Sequence, residues 1–320
     1  MWCQAVTELR GVYLQASIET LCGLFGKSRQ AYYKWHPREF RNCAIENIVL
    51  EEARRIRSEA PGMGAYKIYL ILLDVFGREN MPGRDAFYSL MRKHGLNVEK
   101  RKTHRTTNSY HHFHKWSNLI KGYTPEAPNR LFVSDITYIT TSSGVCYLHL
   151  VTDAFSRRIM GWCLASTLQA SKSLEALDMA LSAASAAGAD LSLITHHSDR
   201  GIQYCSHLYV ARLKSIGASI SMTEDSNPTD NAIAERVNGI LKNEYLEGRS
   251  LTDLMDAYSA ISRAVNHYNG VRPHMSLGYK TPDDVFKDPA CKGAQKWKKR
   301  TYAPRPGTEG EENHNGIVAR

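Results

Sequence analysis

The sequence lacks the features that mark membrane, secreted and zinc-stabilised proteins. No apolar run reaches the ~18 residues that a membrane-spanning helix needs, and the N-terminal MWCQAVTELR lacks the basic-then-apolar order of a secretory signal. The seven cysteines are scattered and form no CxxC pair, which argues against a disulfide framework or a zinc knuckle and favours reduced thiols. We therefore expect a cytoplasmic protein without membrane contact.

Acidic residues are in the minority. Lys and Arg number 41 against 32 Asp and Glu, which gives a net charge of +9. Such a balance is typical of proteins that meet a polyanion, and nucleic acid is the commonest one. Basic residues concentrate between Glu99 and Lys121 and again in KWKKR at 296–300. These clusters fit a solvated linker and a phosphate-contacting segment about equally well.

The chain is long enough for several units. With 320 residues, 42% of them hydrophobic, it can form two or three domains at ~100–200 residues each. Composition changes predict a helical region over 1–97, a basic linker over 98–127, an α/β region over 128–288 and a polar, disordered tail over 289–320.

Residues 17–36 predict two short helices that meet at Gly26. The apolar face of the first comprises Leu21, Leu24 and Phe25. The second, capped by Ser28, presents Arg29, Gln30 and Lys34. A helix-turn-helix places such a polar, basic helix in the major groove of DNA, although any αα-hairpin has the same pattern. A separate, longer helix is predicted to follow around 45–56 and to end at Pro61-Gly62.

The pattern changes at Arg130. The segments LFVSDITYIT, VCYLHLVTDAF and RRIMGWCLA predict three strands joined by short connections, with Asp153 at a turn. A helix over 171–187 follows, and then strands and helices alternate, with strands over 191–197 and 218–223. Helices over about 228–247 and 253–268 end the region. Three antiparallel strands followed by α/β units give the mixed sheet of a ribonuclease-H-like α/β fold.

Three carboxylates lie at positions where a purely structural role would not readily explain a charged side chain. Asp135 is in the middle of a predicted strand, where a charge is costly to desolvate. Asp199 follows a strand end, the place where sites form in open α/β sheets. Glu235 is in the amphipathic helix predicted to open at Asn227-Pro228. Each alone is also compatible with an edge, turn or solvated position.

Five ordered motifs set this chain apart. They are SDITYI (134–139), DAFSRRIMGW (153–162), HSDRGIQY (197–204), PTDNAIAERVNGILKNE (228–244) and YNGVRPHMSLGYKTPDDVF (268–286). With 35 residues between Asp199 and Glu235, the chain resembles the DDE transposase and integrase superfamily, and most closely the second-frame (OrfB) transposases of IS3-type bacterial insertion sequences. The resemblance covers residues 15–287.

The resemblance implies a metal-dependent enzyme that cleaves DNA at the ends of an insertion sequence and joins it elsewhere. Asp135, Asp199 and Glu235 would be the catalytic residues and hold two Mg²⁺ ions, for which Mn²⁺ can substitute. Lys242, seven residues after Glu235, matches a basic family position that contacts DNA near the cut. Asn231, four residues before Glu235, shares that face and would orient the glutamate or a phosphate.

The resemblance also implies partners. DNA would be bound as element ends and as target, by a homo-oligomer associated with the bacterial nucleoid. An upstream-frame protein with a helix-turn-helix and a coiled coil would join this portion by frameshifting. One departure is Ser226, where the family usually has glycine before the PxDNA motif, which could reshape the loop preceding Glu235. The alternative function is a catalytically defective, DNA-binding regulator.

Other chemistries fit less well. A tyrosine or serine recombinase would need a side-chain nucleophile, and a plain ribonuclease H would not explain the N-terminal helices or the last motif. His196 and His197 are poorer Mg²⁺ ligands than oxygen and are predicted to form hydrogen bonds in the core. His111, His112 and His114 lack a cysteine pair for zinc.

Overall fold

A computed structural model describes residues 2–98, 113–224, 231–288 and 290–293, with only the backbone given over 35–43. The helices are α1 Trp2–Val12, α2 Ile18–Gly23, α3 Arg29–Glu59, α4 Ala65–Phe76, α5 Arg84–Lys93, α6 Ala170–Ala186, α7 Ile202–Cys205, α8 His207–Ser215, α9 Ala232–Ile240, α10 Leu254–Gly270 and α11 Pro282–Lys287. The strands are β1 Leu131–Thr141, β2 Gly144–Asp153, β3 Ile159–Ala165, β4 Thr195–Ser198 and β5 Ser219–Met222.

The five strands form one mixed sheet in the order β3-β2-β1-β4-β5. Strands β1, β2 and β3 pair antiparallel, whereas β1 with β4 and β4 with β5 pair parallel. A three-stranded meander extended by two parallel crossover strands is the ribonuclease-H-like order that the sequence predicted, and the fold prediction is confirmed.

The turn between β2 and β3 is held by Asp153. Its buried carboxylate accepts hydrogen bonds from the backbone N–H of Ser156 at 2.7 Å, from the Ser156 hydroxyl at 2.6 Å and from the N–H of Asn129 at 2.9 Å. Asp153 therefore has the turn role expected of it.

Helices cover both faces of the sheet. On one face α6 and α8 pack on β3 and β5 around Leu177, Tyr209 and Ile220. Close approach of α6 requires Gly161, because a Cβ there would lie 2.0 Å from the Ala176 carbonyl oxygen. On the other face one apolar cluster joins α3, α4 and α5 to the sheet, α9 and α10. The second half of the N-terminal helical region is thus packed onto the core of the α/β region.

The N-terminal tip differs in two respects from the sequence prediction. Helix α1, which the sequence analysis did not identify, packs against α2 and α3 through Cys3, Val6 and Tyr32. The inward face of α2 is Ile18, Leu21 and Cys22, whereas Leu24 and Phe25 are 70% and 38% exposed. Leu24 is the C-cap residue and Phe25 follows it, so both lie past the last turn of α2.

The helix after Ser28 also differs from its prediction. The two helices expected around residues 29–36 and 45–56 are one continuous helix, α3, of 31 residues. Its start is as predicted, because the Ser28 hydroxyl accepts from the backbone N–H of Ala31 at 3.2 Å.

One strand of the α/β region begins later than predicted. Residues Leu191–Leu193 form a single 3-10 turn, and β4 starts only at Thr195. The turn forms because the Asp190 carboxylate accepts from the Ser192 N–H at 3.0 Å, a local bond that competes with strand pairing.

The helix that contains Glu235 is described from Asn231 onward. Helix α9 opens at Ala232 with Asn231 as N-cap and continues as a π-helical segment over Leu241–Leu246. The expected start at Asn227-Pro228, together with Ser226, lies outside the described residues.

The described end of the linker lies along the edge of β5. The N–H of Leu119 donates to the Ser221 hydroxyl at 2.9 Å, and the N–H of Met222 donates to the Ser117 carbonyl at 3.3 Å. Most of the predicted basic cluster, His111 and His112 included, and the tail beyond residue 293 lie outside the described residues. In the ranges that are described, no helix is both long and apolar enough to cross a membrane.

Candidate active site

Two of the three predicted carboxylates come from the central parallel strands of the sheet. Ser134 of β1 lies opposite Ser198 of β4 in the parallel register. Asp135 directly follows Ser134, and Asp199 directly follows Ser198, so the two aspartate side chains lie side by side where β4 ends. This is the sheet edge at which α/β sites form.

Asp135 is held by two hydrogen bonds. Its Oδ1 accepts from the N–H of Ile136 at 2.9 Å, and its Oδ2 accepts from Asn238 Nδ2 at 2.8 Å. Burial raises the pKa of Asp135 to about 7, the negative charge of Asp199 adds to the rise, and the two hydrogen bonds only partly oppose it. The site therefore concentrates negative charge that a cation would relieve.

Asp199 is fixed by the loop that follows it. Its Oδ1 accepts from the backbone N–H of Gly201 at 3.0 Å. A Cβ on residue 201 would lie 2.9 Å from that same oxygen, so only glycine leaves the carboxylate in place.

Glu235 reaches the site from α9. It lies in the first turn of that helix, is exposed, and its charge contributes to the raised pKa of Asp135. Within the described residues, no three His, Cys, Asp or Glu side chains are gathered tightly enough to hold a metal ion. The structure thus pairs Asp135 with Asp199, and Glu235 faces them without closing a three-carboxylate cluster.

Two polar residues of α9 and the π segment also face Asp135. Asn231 is buried and donates from Nδ2 to the Ser134 carbonyl at 3.0 Å, which ties the start of α9 to β1. The Lys242 ammonium lies 6.0 Å from the centre of the Tyr138 ring. Burial lowers the pKa of Lys242, and the charge of Asp135 opposes that shift, so this lysine is a cation close to the carboxylates.

Sequence reasoning missed two residues of the site. Asn238, which orients Asp135, lies three residues after Glu235 on the same helix, and that spacing was the available signal. Tyr204 closes the HSDRGIQY motif; it is buried, and its hydroxyl has no hydrogen-bond partner among the described residues. Burial, with the charge of Asp135, raises the pKa of Tyr204 well above its ordinary value.

The histidines beside Asp199 form hydrogen bonds in the core, as expected. His196 Nε2 lies 2.8 Å from both the Ser134 hydroxyl and the Tyr209 hydroxyl. Burial lowers the pKa of His196 to about 3, so it is neutral. His197 Nδ1 lies 2.8 Å from the Ser221 hydroxyl.

The predicted DNA-reading residues lie far from these carboxylates in the sequence. Arg29, Gln30 and Lys34 are exposed at the start of α3. Tyr32, between them, faces inward and contacts the Thr7 hydroxyl at 2.9 Å, so it is not part of that face.

Comparison with known proteins identifies the sheet and its flanking helices. The family described as Integrase core domain matches residues 125–228, and a second model with the same description matches residues 216–282. The two matches together contain Asp135, Asp199 and Glu235.

Relatives extend the match into the N-terminal helices. A Mycobacterium tuberculosis protein of insertion sequence element IS986/IS6110 is 35% identical over 241 residues, which are 73% of this chain and 85% of that protein. The Shigella sonnei transposase for insertion sequence element IS629 is 33% identical over 282 residues, which are 85% and 92% of the two chains. Transposase InsF for insertion sequence IS3A of Escherichia coli is 27% identical over 278 residues, covering 83% and 93%.

Solved structures that the chain resembles include viral integrases. A chain of the simian T-cell lymphotropic virus intasome matches 75% of this chain and 77% of its own length at 18% identity and a TM-score of 0.44. The HTLV-2 integrase catalytic core domain, in complex with magnesium, matches 50% of this chain and 97% of its own length, at 20% identity and a TM-score of 0.38. Because both TM-scores are below 0.5, the fold assignment depends on the strand order.

The Mycobacterium tuberculosis and Shigella sonnei relatives carry the family assignment, because they match at 35% and 33% identity over most of both chains. The chain belongs to the IS3-type insertion-sequence transposases with an integrase core, and it is a DDE-type polynucleotidyl transferase.

Proposed function

We propose that Asp135, Asp199 and Glu235 are the catalytic residues of this transposase and act with divalent metal. The observation that carries the proposal is the Asp135–Asp199 pair on adjacent parallel strands, with burial and mutual repulsion raising the pKa of Asp135 to about 7. Hard oxygen donors of this kind suit Mg²⁺, which prefers one or two carboxylates together with phosphate oxygens and water.

The donor set fits Mg²⁺, or Mn²⁺ in its place. Asp135 and Asp199 would hold the ions from the sheet, and Glu235 would complete the set from α9 once DNA and metal draw its exposed side chain inward. A bound pair of such ions activates the attacking oxygen and stabilises the leaving oxygen of an in-line displacement at phosphorus.

The remaining residues of the site orient the carboxylates and neutralise the charge of the DNA phosphate. Asn238 holds Oδ2 of Asp135 while the Ile136 N–H holds Oδ1, so the orientation of the carboxylate is fixed. Lys242 supplies positive charge beside the scissile phosphate, and Asn231 keeps the start of α9 against β1 so that Glu235 stays in reach. Arg29, Gln30 and Lys34 at the start of α3 would read DNA in the major groove.

The proposed reaction is cleavage at the ends of the element and transfer of the 3′-hydroxyl to a second phosphodiester. Residues 1–97 would bind DNA and 128–288 would catalyse, with the basic linker between them. We expect a homo-oligomer on DNA, because two ends must be handled together, and an upstream-frame partner for end recognition. The reaction would take place in the bacterial cytoplasm, at the nucleoid.

The test uses the full chain, with and without the upstream-frame protein, and labelled DNA carrying the sequences that flank the element. Mg²⁺-dependent nicking and joining should be lost in Glu235→Gln and Asp199→Asn and on EDTA addition. Glu51→Gln, an exposed glutamate of α3, is the matched control and should retain activity. Cleavage that persists in both variants would refute the three-carboxylate mechanism. DNA binding without cleavage by the native chain would favour the defective regulator.

A further inference from the structure

The last motif of the sequence, residues 268–286, is not explained by the carboxylate site, and its centre forms a compact loop. The N–H of Tyr279 donates to the His274 carbonyl at 2.7 Å, and the N–H of His274 donates to the Lys280 carbonyl at 3.0 Å. Gly278 and Tyr279 both have left-handed backbones, with φ of 64° and 68°. Glycine adopts this conformation without strain, whereas a bulky residue such as tyrosine does so rarely.

The base of this loop is anchored next to the catalytic helix. Arg272 forms two hydrogen bonds with Glu244 of the π segment, at 2.7 and 2.8 Å. The His274 ring lies edge-on to the Tyr268 ring, with 4.8 Å between centroids. Arg272 and His274 are both buried. The loop is therefore fixed relative to α9, and its tip has a defined position.

The tip presents an aromatic pair. Tyr279 is 38% exposed, and its ring meets the edge of Tyr66, which is 36% exposed, at a centroid distance of 5.3 Å. Tyr66 in turn stacks on Tyr69 at 6.5 Å, and Tyr69 contacts the buried Phe87 at 5.5 Å. The exposed pair is thus supported by rings that continue into the core. We call Tyr66 and Tyr279 the tyrosine pair.

Positive charge surrounds the tyrosine pair. Lys67 follows Tyr66 directly, has 20% of its side chain exposed, and donates to Glu244 at 2.6 Å. Arg236 is exposed directly after Glu235, and its charge reaches Lys67 and His274. Arg84 is exposed and interacts electrostatically with Tyr66. The acids near these residues are Glu244, which binds Arg272 and Lys67, Asp85, which pairs with Arg84, and the exposed Glu235 that precedes Arg236.

Exposed tyrosine rings with basic neighbours bind single-stranded nucleic acid by stacking, because every base has a π-face and each phosphate finds a cation. A strained backbone that holds a large ring at the surface is typical of a functional site. Arg236 follows Glu235 on α9, and its charge reaches Lys67 and His274, so the same helix borders both the proposed active site and the base of the loop. We propose that the tyrosine pair stacks on an unpaired DNA base beside the scissile phosphate, and that Arg236 contacts a flanking phosphate.

This proposal rests on the proposed active site for its location, but its test does not require catalysis. The probe is a duplex from the element-flanking DNA whose end is unpaired and carries 2-aminopurine, and the readout is quenching of its fluorescence in Mg²⁺-free buffer. The variants are Tyr66→Ala and Tyr279→Gly in the full chain, and Tyr258→Ala is the matched control. Tyr258 is 47% exposed on α10, away from the loop, with its ring against Trp162.

Tyr279→Gly separates binding from folding. Because glycine relieves the left-handed backbone, this variant should keep or raise the melting temperature while losing the ring. We expect native chain and Glu235→Gln to quench the probe equally, Tyr279→Gly and Tyr66→Ala to bind at least fivefold more weakly, and Tyr258→Ala to bind normally. A fully paired duplex should show little dependence on the tyrosine pair.

Two results would overturn the proposal: unchanged quenching in a folded Tyr279→Gly variant, or equal losses on paired and unpaired ends. If Glu235→Gln still cleaves DNA while the tyrosine variants lose quenching, the three-carboxylate mechanism fails and the stacking surface stands. If cleavage is lost in Glu235→Gln but quenching never depends on the tyrosines, the surface fails alone.

Discussion

At the scale of single residues, the arrangement around Asp135 follows from the cost of burying charge. A carboxylate in the middle of a strand, beside a second carboxylate, is stable only if its oxygens are satisfied. Ile136 and Asn238 provide that with one backbone and one side-chain donor. Hydrogen-bond partners of this kind orient a metal ligand and are worth about 10–100-fold in activity or metal affinity.

Asn238→Ala should therefore lower strand cleavage about 10–100-fold and shift the Mg²⁺ concentration needed for half-maximal cleavage upward. The reason is that Asp135 loses the donor that fixes its Oδ2. The measurement is a Mg²⁺ titration of nicking at constant DNA. Asn80→Ala removes an exposed amide that only bonds the Phe76 carbonyl, and it should behave as the native chain. An Asn238→Ala curve that coincides with the native one would exclude the orienting role.

At the scale of elements, the helical N-terminal region is docked on the segment that follows α9 by backbone contacts that tolerate little change. The N–H of Gly62 donates to the Glu244 carbonyl at 2.9 Å, and a Cβ at residue 62 would lie 1.8 Å from the Asn243 carbonyl oxygen. Arg249 donates to the carbonyls of Ser58 and Glu59 at the end of α3. The end of α3 is thus docked on the π segment that follows α9.

Glu244 holds this junction electrostatically. Burial alone would raise the pKa of Glu244, but the hydrogen bonds and charges of Arg272 and Lys67 outweigh it, and the pKa lies below its ordinary value. π-helical segments often mark functional sites. In this segment, Lys242 is directed toward the carboxylate site, whereas Glu244 is directed toward the N-terminal helices.

Arg272→Met should destabilise the protein by about 3–5 kcal/mol, because it leaves Glu244 buried with Lys67 as its remaining partner. Lys67→Met should cost less, since Arg272 keeps both of its bonds to Glu244. Urea unfolding of the two variants measures the order. Arg55→Met breaks an exposed i,i+3 pair with Glu52 and should change the midpoint little. If Arg272→Met unfolds at the native urea concentration, the buried pair does not stabilise the junction.

At the scale of the whole molecule, several buried histidines make the fold acid-sensitive. Burial lowers the pKa of His149 to about 4, of His196 to about 3 and of His274 to about 2. In the unfolded chain each titrates near 6.5, so the unfolded state binds more protons below that pH. These histidines therefore leave the free energy of unfolding at its full value above pH ~6.5, and lower it as the pH falls toward their folded-state pKa values.

The histidine contribution to the free energy of unfolding should therefore decline below pH 6.5, by up to ~1.4 kcal/mol per pH unit for each buried histidine. Asp135 opposes this decline by one proton, because its raised pKa makes the folded state bind a proton that the unfolded state does not bind in this range. His149→Asn should make the free energy of unfolding fall less steeply with pH, because one titrating group is removed. The variant should still fold, because Asn can bond the Ser173 hydroxyl that lies 2.8 Å from the His149 ring. Glu175 and Lys172 are the charges that face residue 149. Urea unfolding between about pH 6.5 and 5 measures the slope, and exposed His207→Asn should leave it unaltered. An identical slope in His149→Asn would contradict this assignment.

The chain's own sequence determined the features that depend on local pattern. Alternation of β-branched and polar residues predicted β1, β2 and β3, and the spacing of Asp199 and Glu235 with the five motifs predicted the fold and the family. These succeed because strand periodicity and motif spacing are properties of neighbouring residues. The carboxylates themselves remain predictions until the variants above are measured.

Only the tertiary structure decided what the long-range contacts do. The bond from Asn238 to Asp135 spans 103 residues, and the bond from Lys67 to Glu244 spans 177. No local pattern contains such pairs. Likewise, Leu24 and Phe25 fit an apolar stripe in sequence, yet they are exposed because they lie past the last turn of α2, whose inward face is packed against α1. The sequence thus determined the family and the candidate residues for the chemistry, whereas folding decided the partners of those residues, because partners are chosen by packing between segments that are distant in the chain.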